Sequence, residues 1–384
     1  MQTIGTAFLE LIALFWLVQG FRALRGMATI PQLADVKPRE GGDWPRISVL
    51  FAARDEAEKL PAALASMLAQ DYPNYEVVAV NDRSSDATPE ILDALARRHA
   101  HLKVLHVREL PEGWLGKPHA LELAYRQATG DWLIFTDADV RFAPDLLRRA
   151  MTLAQARRWD HLSLLAVIDL IGFWETAAIV YLGVGFVFGV QPWRVSDPDT
   201  GSYMGVGAFQ LLRRSAYEAI GTHRRLAMEV VDDMKLGKLV KHGGFRSGVA
   251  TSDTFIRLRW QNGLGDLVNG LTKNLFAAFG YNVWGALFGV FGIFAISILP
   301  FLALPFTTGI ARVAAAISVL LALSLHVTLL LPARISPLYA FTHPLGAAIA
   351  CYMLLRSMIV TLRQRGVVWR NTFYPLDQLK RGVV

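Results

Sequence analysis

The chain has 384 residues, 53% of them apolar and only 18% charged, with a formal net charge of +7. That composition excludes an ordinary soluble domain and points to membrane segments. Its basic residues are scattered or lie beside apolar runs, so an anionic lipid surface is an expected partner and nucleic acid is not; the lone cysteine, Cys351, leaves no intramolecular disulfide and no cysteine metal site.

Residues 3–21 (TIGTAFLELIALFWLVQGF) predict a first membrane helix within 1–25, with Glu10 inside it at a cost. No basic region precedes the run and no small-x-small site follows it, which disfavours a cleaved signal peptide. Arg22, Arg25, Lys37 and Arg39 come next. The positive-inside rule therefore predicts an integral protein of the cell's inner membrane, with the following domain in the cytoplasm.

That domain, 45–260, alternates strands with helices. ISVLFA (47–52), YEVVAV (75–80), LKVLHV (102–107) and WLIFT (132–136) are predicted as buried strands, separated by helices near 59–69, 89–99, 117–128 and 144–157. Pro89, behind Asp86 and Thr88, marks a helix start. The fold class is α/β, with a mostly parallel sheet covered on both faces and ligands bound beyond the carboxyl ends of its strands. Polar residues gather at that edge: Arg54, Asp55 and Glu56 after the first strand, Asn81 and Asp82 after the second, Asp137 and Asp139 after the fourth.

Residues 171–190 are apolar but contain Glu175, with Trp174 and Trp193 near their ends. A crossing here would put Asp137 and the acids at 232–233 on opposite sides of the membrane, so an interfacial or buried element is expected. An amphipathic interfacial helix is predicted within 261–283, then membrane helices within 284–362 (285–306, 311–332 and 338–362), then a basic tail, 363–384. Three such crossings leave the tail outside, although Arg363, Arg365, Arg370, Lys380 and Arg381 favour the inside. Either one segment does not cross, 285–306 with Pro300 and Pro305 being a candidate, or the tail lies on the outer surface.

Asp137 and Asp139 are two apart at a strand end, so their side chains leave one face and converge on one cation. Hard oxygens without nearby His or Cys suit Mg2+ or Mn2+. An acidic surface turn would look the same, but Trp132 to Thr136 makes this the end of a buried strand. In MEVVDDMKLGKLVKHGG (228–244), Glu229, Asp232 and Asp233 precede a helix. They serve as capping carboxylates or supply a general base, and spacing alone does not decide. His119, His161, His223 and His242 lie near these motifs without metal-ligand spacing; Trp114 either packs over a ligand or fills the core.

Five blocks in order, ISVLFAARDEAEKL, VVAVNDRSSDAT, GWLGKPHAL with GDWLIFTDADV, GVGAFQLLRRSAYEAIG and VVDDMKLGKLVKHGG, resemble the membrane-bound family 2 glycosyltransferases of GT-A fold. The likeness is to their ceramide glucosyltransferase-like, hopanoid-associated and carotenoid members, and covers residues 47–244. RWQNGLGDLVNGLTKNLF and VVWRNTFYPLDQL resemble the C-terminal part of the same proteins. The resemblance implies that Asp82 recognises the nucleotide base beside Arg54 and Glu56, that Lys117 offsets diphosphate charge, and that Asp137 and Asp139 form the DxD motif with Asp139 on the metal. It implies that Asp233 is the catalytic base, with Asp232 where glutamate is usual, and that Gly207 and Gln210 lie on the acceptor side.

Two departures stand out. AARDE replaces the family's usual proline, alanine, arginine, asparagine, glutamate, altering the loop while keeping the charged pair. Of the QxxRW motif of polysaccharide synthases, Arg259 and Trp260 are present but Ile256 takes the leading place, which argues against a processive polymerase. Arg259 and Trp260 are then acceptor-side residues or an aromatic, basic membrane anchor. The resemblance implies an inverting, metal-dependent transfer of sugar from a nucleotide diphosphate-sugar, UDP-sugar by the Asp82 contact, to the hydroxyl of a membrane lipid. Transfer to a polyprenyl phosphate or polysaccharide, and a non-catalytic nucleotide-binding scaffold, are the alternatives. A dinucleotide oxidoreductase would need a glycine-rich turn where AARDE stands.

Overall fold

The computed structural model describes residues 2–252, 254–331, 333–370 and 372–384. The strands are β1 (Ile47–Ala53), β2 (Tyr75–Asp82), β3 (Leu102–Val107), β4 (Trp132–Asp137), β5 (Arg141–Phe142), β6 (His161–Leu165), β7 (Val167–Ile168), β8 (Gln210–Arg213), β9 (Ser247–Thr251), β10 (Ile256–Leu258), β11 (Gly366–Trp369) and β12 (Thr372–Pro375). Seven form the central sheet in the order β3-β2-β1-β4-β8-β6-β9. It is parallel except for β8, which runs against both β4 and β6. Aliphatic runs such as ISVLFAA are buried nearly throughout, as expected of strands covered on both faces.

Register brings the site together. Ala52 pairs with Asp137 and Ala53 with Asn81, so β1, β2 and β4 end level, and their next residues emerge side by side. Because β8 is reversed, its start, rather than its end, lies at this edge: Gln210 pairs with Phe135. Residues just before β8 therefore meet those just after β4. Four helices connect the first half of the sheet: α1 (Leu60–Leu68), α2 (Thr88–Ala96), α3 (Gly116–Gln127) and α4 (Leu146–Arg157). Each lies within a few residues of its predicted span, and Pro89 falls at the second position of α2.

Among the described residues, five helices are long and apolar enough to cross a membrane. One precedes the sheet, Ile4–Met27, with a π-helical turn at Trp16–Gly20. The others include α5 (Phe173–Val190), α6 (Gly309–Leu330) and α7 (His343–Gln364), together with the segment Val283–Ala303. The segment at 171–190 is thus one continuous apolar helix, half of it covered by protein. Both its ends are tied to the sheet domain: Glu175 pairs with Arg259, which follows β10, and Trp193 packs in a cluster with Val249 of β9.

The tail does not lie on an opposite surface. β11 and β12 form a hairpin whose connecting Arg370 pairs with Glu56, which follows β1. Farther on, Val384 donates its N–H to Glu229 and accepts from Lys235 and Lys238 through its carbonyl oxygen. Tail and sheet domain therefore share one side of any membrane, and the chain between them crosses an even number of times. In a Cys351→Ser background, Glu112→Cys and Lys380→Cys are expected to react with an impermeant maleimide from the same face of sealed vesicles. Labelling from opposite faces would refute the shared side.

Candidate active site

The carboxyl edge opens into a cavity of ≈ 510 Å³ lined by Arg54, Glu56, Asp82, Lys117, Asp137, Asp139, Asp232 and Asp233 among others. Each side chain is placed by a local device. Asp55 adopts φ 54° and Arg83 φ 57°, left-handed turns that swing the chain away at the ends of β1 and β2. Aspartate and asparagine tolerate that conformation better than most residues. The AARDE departure therefore keeps the loop, with Asp55 Oδ1 accepting from the Ser85 N–H at 2.7 Å. Asp82 is buried and accepts from Arg83 Nε at 2.7 Å, with Arg54 at 3.9 Å. Gly116 permits this approach, since a Cβ there would meet Asp82 Oδ2 at 2.2 Å.

The acidic pair at 232–233 starts the helix α8 (Asp232–His242). Asp233 accepts the Gly207 N–H at 2.9 Å and the Met234 N–H at 2.7 Å, so both carboxylate oxygens are fixed by backbone. A Cβ on Gly207 would lie 2.7 Å from Asp137 Oδ2 and 3.3 Å from Asp233 Oδ2, which places glycine between the two carboxylates. Gly237 serves α8 similarly, its Cα facing the Met204 carbonyl where a Cβ would lie at 2.1 Å.

Cations neutralise the edge. Lys117 Nζ donates to Asp137 Oδ1 at 2.6 Å and lies 4.0 Å from Asp232; Lys59 Nζ donates to Asp139 Oδ2 at 3.2 Å. Burial alone would lower the Lys117 ammonium, but the charges of Asp137, Asp232 and Asp233 hold it well above the ordinary lysine value. Burial raises Asp139, and the nearby Asp137 charge raises it further against the pull of Lys59. Asp232 is pushed up to about 7, by burial first, with Lys117 opposing.

Not every predicted residue reaches the cavity. Gln210 sits beneath it, buried, with His161 Nε2 at 3.1 Å. Arg259 is turned onto Glu175 at 2.5 and 2.7 Å and onto the Asp169 carbonyl, while Trp260 does line the cavity. His161 and His223 are fully buried and bonded within the core, and none of the four histidines lines the main cavity. The sequence reading missed a whole wall: Val368, Trp369, Arg370 and Tyr374 from the tail hairpin, and Lys273 after the helix α9 (Leu264–Thr272). The period-2 run of β-branched and aromatic residues in VVW and TFY was the available signal for that hairpin.

A mannosyltransferase, PcManGT from Pyrobaculum calidifontis, solved in complex with GDP-Man and Mn2+, superposes with a TM-score of 0.56 over 93% of this chain and 99% of that one, at 20% identity. The sheet order and its one reversed strand thus belong to a GT-A-like fold. Residues 48–221 match the model of Glycosyl transferase family 2. The chain carries a family 2 glycosyltransferase domain. A beta-monoglucosyldiacylglycerol synthase of Synechocystis sp. is 28% identical over 275 residues, 65% of this chain and 55% of that protein. A 4,4'-diaponeurosporenoate glycosyltransferase of Staphylococcus haemolyticus is 27% identical over 251 residues, 62% and 63% of the two chains. The chain thus spans little more than half the length of these curated relatives.

The Asp232 carboxyl is ordinary at 3.8 when unfolded and lies near 7 in the fold. The folded state therefore holds a proton that the unfolded chain releases, and stability falls as pH rises between those values. From about pH 5 to about pH 7.5 the unmodified protein is expected to lose melting temperature relative to Asp232→Asn, read by thermal unfolding in detergent. Parallel profiles for the two proteins would contradict a raised Asp232.

Proposed function

We propose that the protein is an inverting glycosyltransferase that moves a sugar from a nucleotide diphosphate-sugar to a hydroxyl of a membrane lipid. The observation that carries this reading is that Asp82, Asp139 and Asp233 open onto one cavity, whose lining residues Trp260 and Leu271 pack in one cluster with Ile179 of α5 and Met353 of α7. Asp82, at the end of β2, suits an N–H of a uracil-type base, and Arg54 and Glu56 flank it. Lys117 stands where a diphosphate's charge would arrive.

Asp233 is the general base. Its oxygens are oriented by the Gly207 and Met234 N–H groups, and each keeps a lone pair with which to take the acceptor's hydroxyl proton. That oxygen attacks the anomeric carbon as the bond to the nucleotide breaks, so configuration inverts. One base suffices, unlike the two carboxylates of a glycosidase.

Mg2+ or Mn2+ fits the pair Asp137 and Asp139. Their mutual repulsion calls for a cation, and Mg2+ commonly takes one or two carboxylates with the remaining places left to phosphates and water. Among the described residues no group of three or more acidic, His or Cys side chains could hold the ion alone, which agrees with phosphates completing it. The ion, when bound, would supply positive charge to the leaving diphosphate.

A lipid acceptor is supported by the apolar helices α5 and α7, which pack against Trp260 and Leu271 of the cavity wall, and by relatives named for diacylglycerol and diaponeurosporenoate glycosylation. Sphingolipid, hopanoid and carotenoid acceptors share the required hydroxyl on an apolar body. Arg259, held in its ion pair with Glu175, is not free to serve a polymerase-like acceptor channel, which weighs against polysaccharide synthesis. The domain faces the cytoplasm of the inner membrane, where nucleotide sugars are made.

Membranes containing the protein are to be incubated with a panel of labelled nucleotide sugars and Mg2+ or Mn2+, and the glycosylated lipid identified by mass. Asp233→Asn is expected to lower transfer by about 10²- to 10⁴-fold while nucleotide binding persists. Undiminished transfer by Asp233→Asn removes it as the base, and inactivity of the unmodified protein across the whole panel removes the donor class.

A further inference from the structure

Four cationic side chains line the cavity: Arg54, Lys117, Lys273 and Arg370. Three are ion-paired within the protein, Arg54 with Asp82, Lys117 with Asp137 and Arg370 with Glu56. Lys273 has no carboxylate within ion-pair distance among the described residues. Its Nζ instead donates to Asn274 Oδ1 at 3.0 Å and lies 4.1 Å from the centroid of the Trp369 ring.

The position of Lys273 is built. It falls at the break between α9 and the short turn Leu275–Ala278, where the Ser357 hydroxyl of α7 bonds the chain on both sides, donating to the Thr272 carbonyl and accepting the Phe276 N–H. Lys273 thus lines the cavity beside Trp369 of the tail hairpin, over whose ring its ammonium lies. Burial, with the neighbouring Lys117 charge, pulls it down to about 8, while Asp232, Asp233 and Asp137 pull the other way. A desolvated ammonium with an aromatic face behind it and no counter-ion is suited to a ligand anion.

We propose that Lys273 binds the diphosphate of the nucleotide-sugar donor, with Trp369 of the tail hairpin as the positioning residue that holds its side chain in the cavity. This rests on the glycosyltransferase reading above. It assigns the tail hairpin to the donor site rather than to the lipid surface. Every other cation of the cavity must give up a carboxylate to meet phosphate, whereas Lys273 gives up none. A phosphate on an acceptor lipid is the other source of the same chemistry. The donor is favoured because Lys117, Asp137 and Asp232, whose charges act on Lys273, stand in the same cavity.

The full chain in detergent with Mg2+ is to be titrated calorimetrically with UDP, GDP and their monophosphates, comparing the unmodified protein with Lys273→Gln and Lys273→Arg. Lys273→Gln is expected to weaken diphosphate binding by about ten- to a hundredfold with little change for monophosphates, and Lys273→Arg to restore most of it. A merely structural lysine would affect both nucleotide classes alike. Trp369→Leu is expected to show the same selective loss in smaller measure. Equal diphosphate affinity for the unmodified protein and Lys273→Gln overturns the proposal. So does normal nucleotide binding with transfer lost only to phosphorylated lipid, which would assign the anion to the acceptor. If the unmodified protein binds no nucleotide, the glycosyltransferase reading falls first and this one with it.

Discussion

Six carboxylates crowd one sheet edge: Glu56, Asp82, Asp137, Asp139, Asp232 and Asp233 line a single cavity. Like charges in a partly dehydrated space repel strongly, so the fold holds them only with cations close by. Those cations come from far apart in the chain. Lys59 is at the start of α1, Arg83 in the turn after β2, Lys117 in the first turn of α3, and Arg370 in the tail hairpin. Neutralising the edge therefore brings the tail, which follows the apolar helices, back onto the domain. In the proposed reaction a donor's phosphates and a divalent ion would exchange partners with groups already paired, which costs less reorganisation than assembling charges from solvent.

Two adjacent residues at this edge show how environment divides labour. Asp232 and Asp233 open the same helix, yet Asp233 is gripped by two backbone N–H groups while Asp232 turns inward, buried, towards Lys117. The first has a fixed orientation and faces the cavity; the second is driven by burial to keep its proton longer. Spacing could not separate capping from catalysis here. Asp233 Oδ1 does accept an N–H at the helix start, and its other oxygen is held by Gly207 from a different segment.

The half of the site nearest the sheet was legible in the sequence because parallel strands announce themselves. Continuous aliphatic runs ended by Arg54, Asp82 and Asp137 give both the element and the edge, and level register follows from short βα connections. What was not legible depends on contacts distant in sequence. Nothing local in QLLR marks β8 as the reversed strand that brings Gly207 between Asp137 and Asp233. The arginines of the tail bore only on which side of a membrane it lies, since a charge count carries no information on a partner such as Glu56 more than three hundred residues earlier. Lys273 was hidden for a related reason: within an amphipathic run one lysine resembles any interfacial cation, and only its missing counter-ion sets it apart.

The apolar helices are coupled to this electrostatics by a short covalent and hydrogen-bonded route. Glu175, buried in the first turn of α5, grips Arg259, whose own carbonyl accepts from Lys59 at 2.9 Å. Lys59 in turn holds Asp139. A shift of α5 must therefore move either the Arg259 ion pair or the Lys59 ammonium. The Glu175–Arg259 pair is the more buried of the two, with side-chain exposures of 1% and 18% against 17% for Asp139 and 29% for Lys59. The apolar helix α5 is thus joined to the acidic edge through its most buried contact first, Glu175 with Arg259, and through Lys59 and Asp139 last.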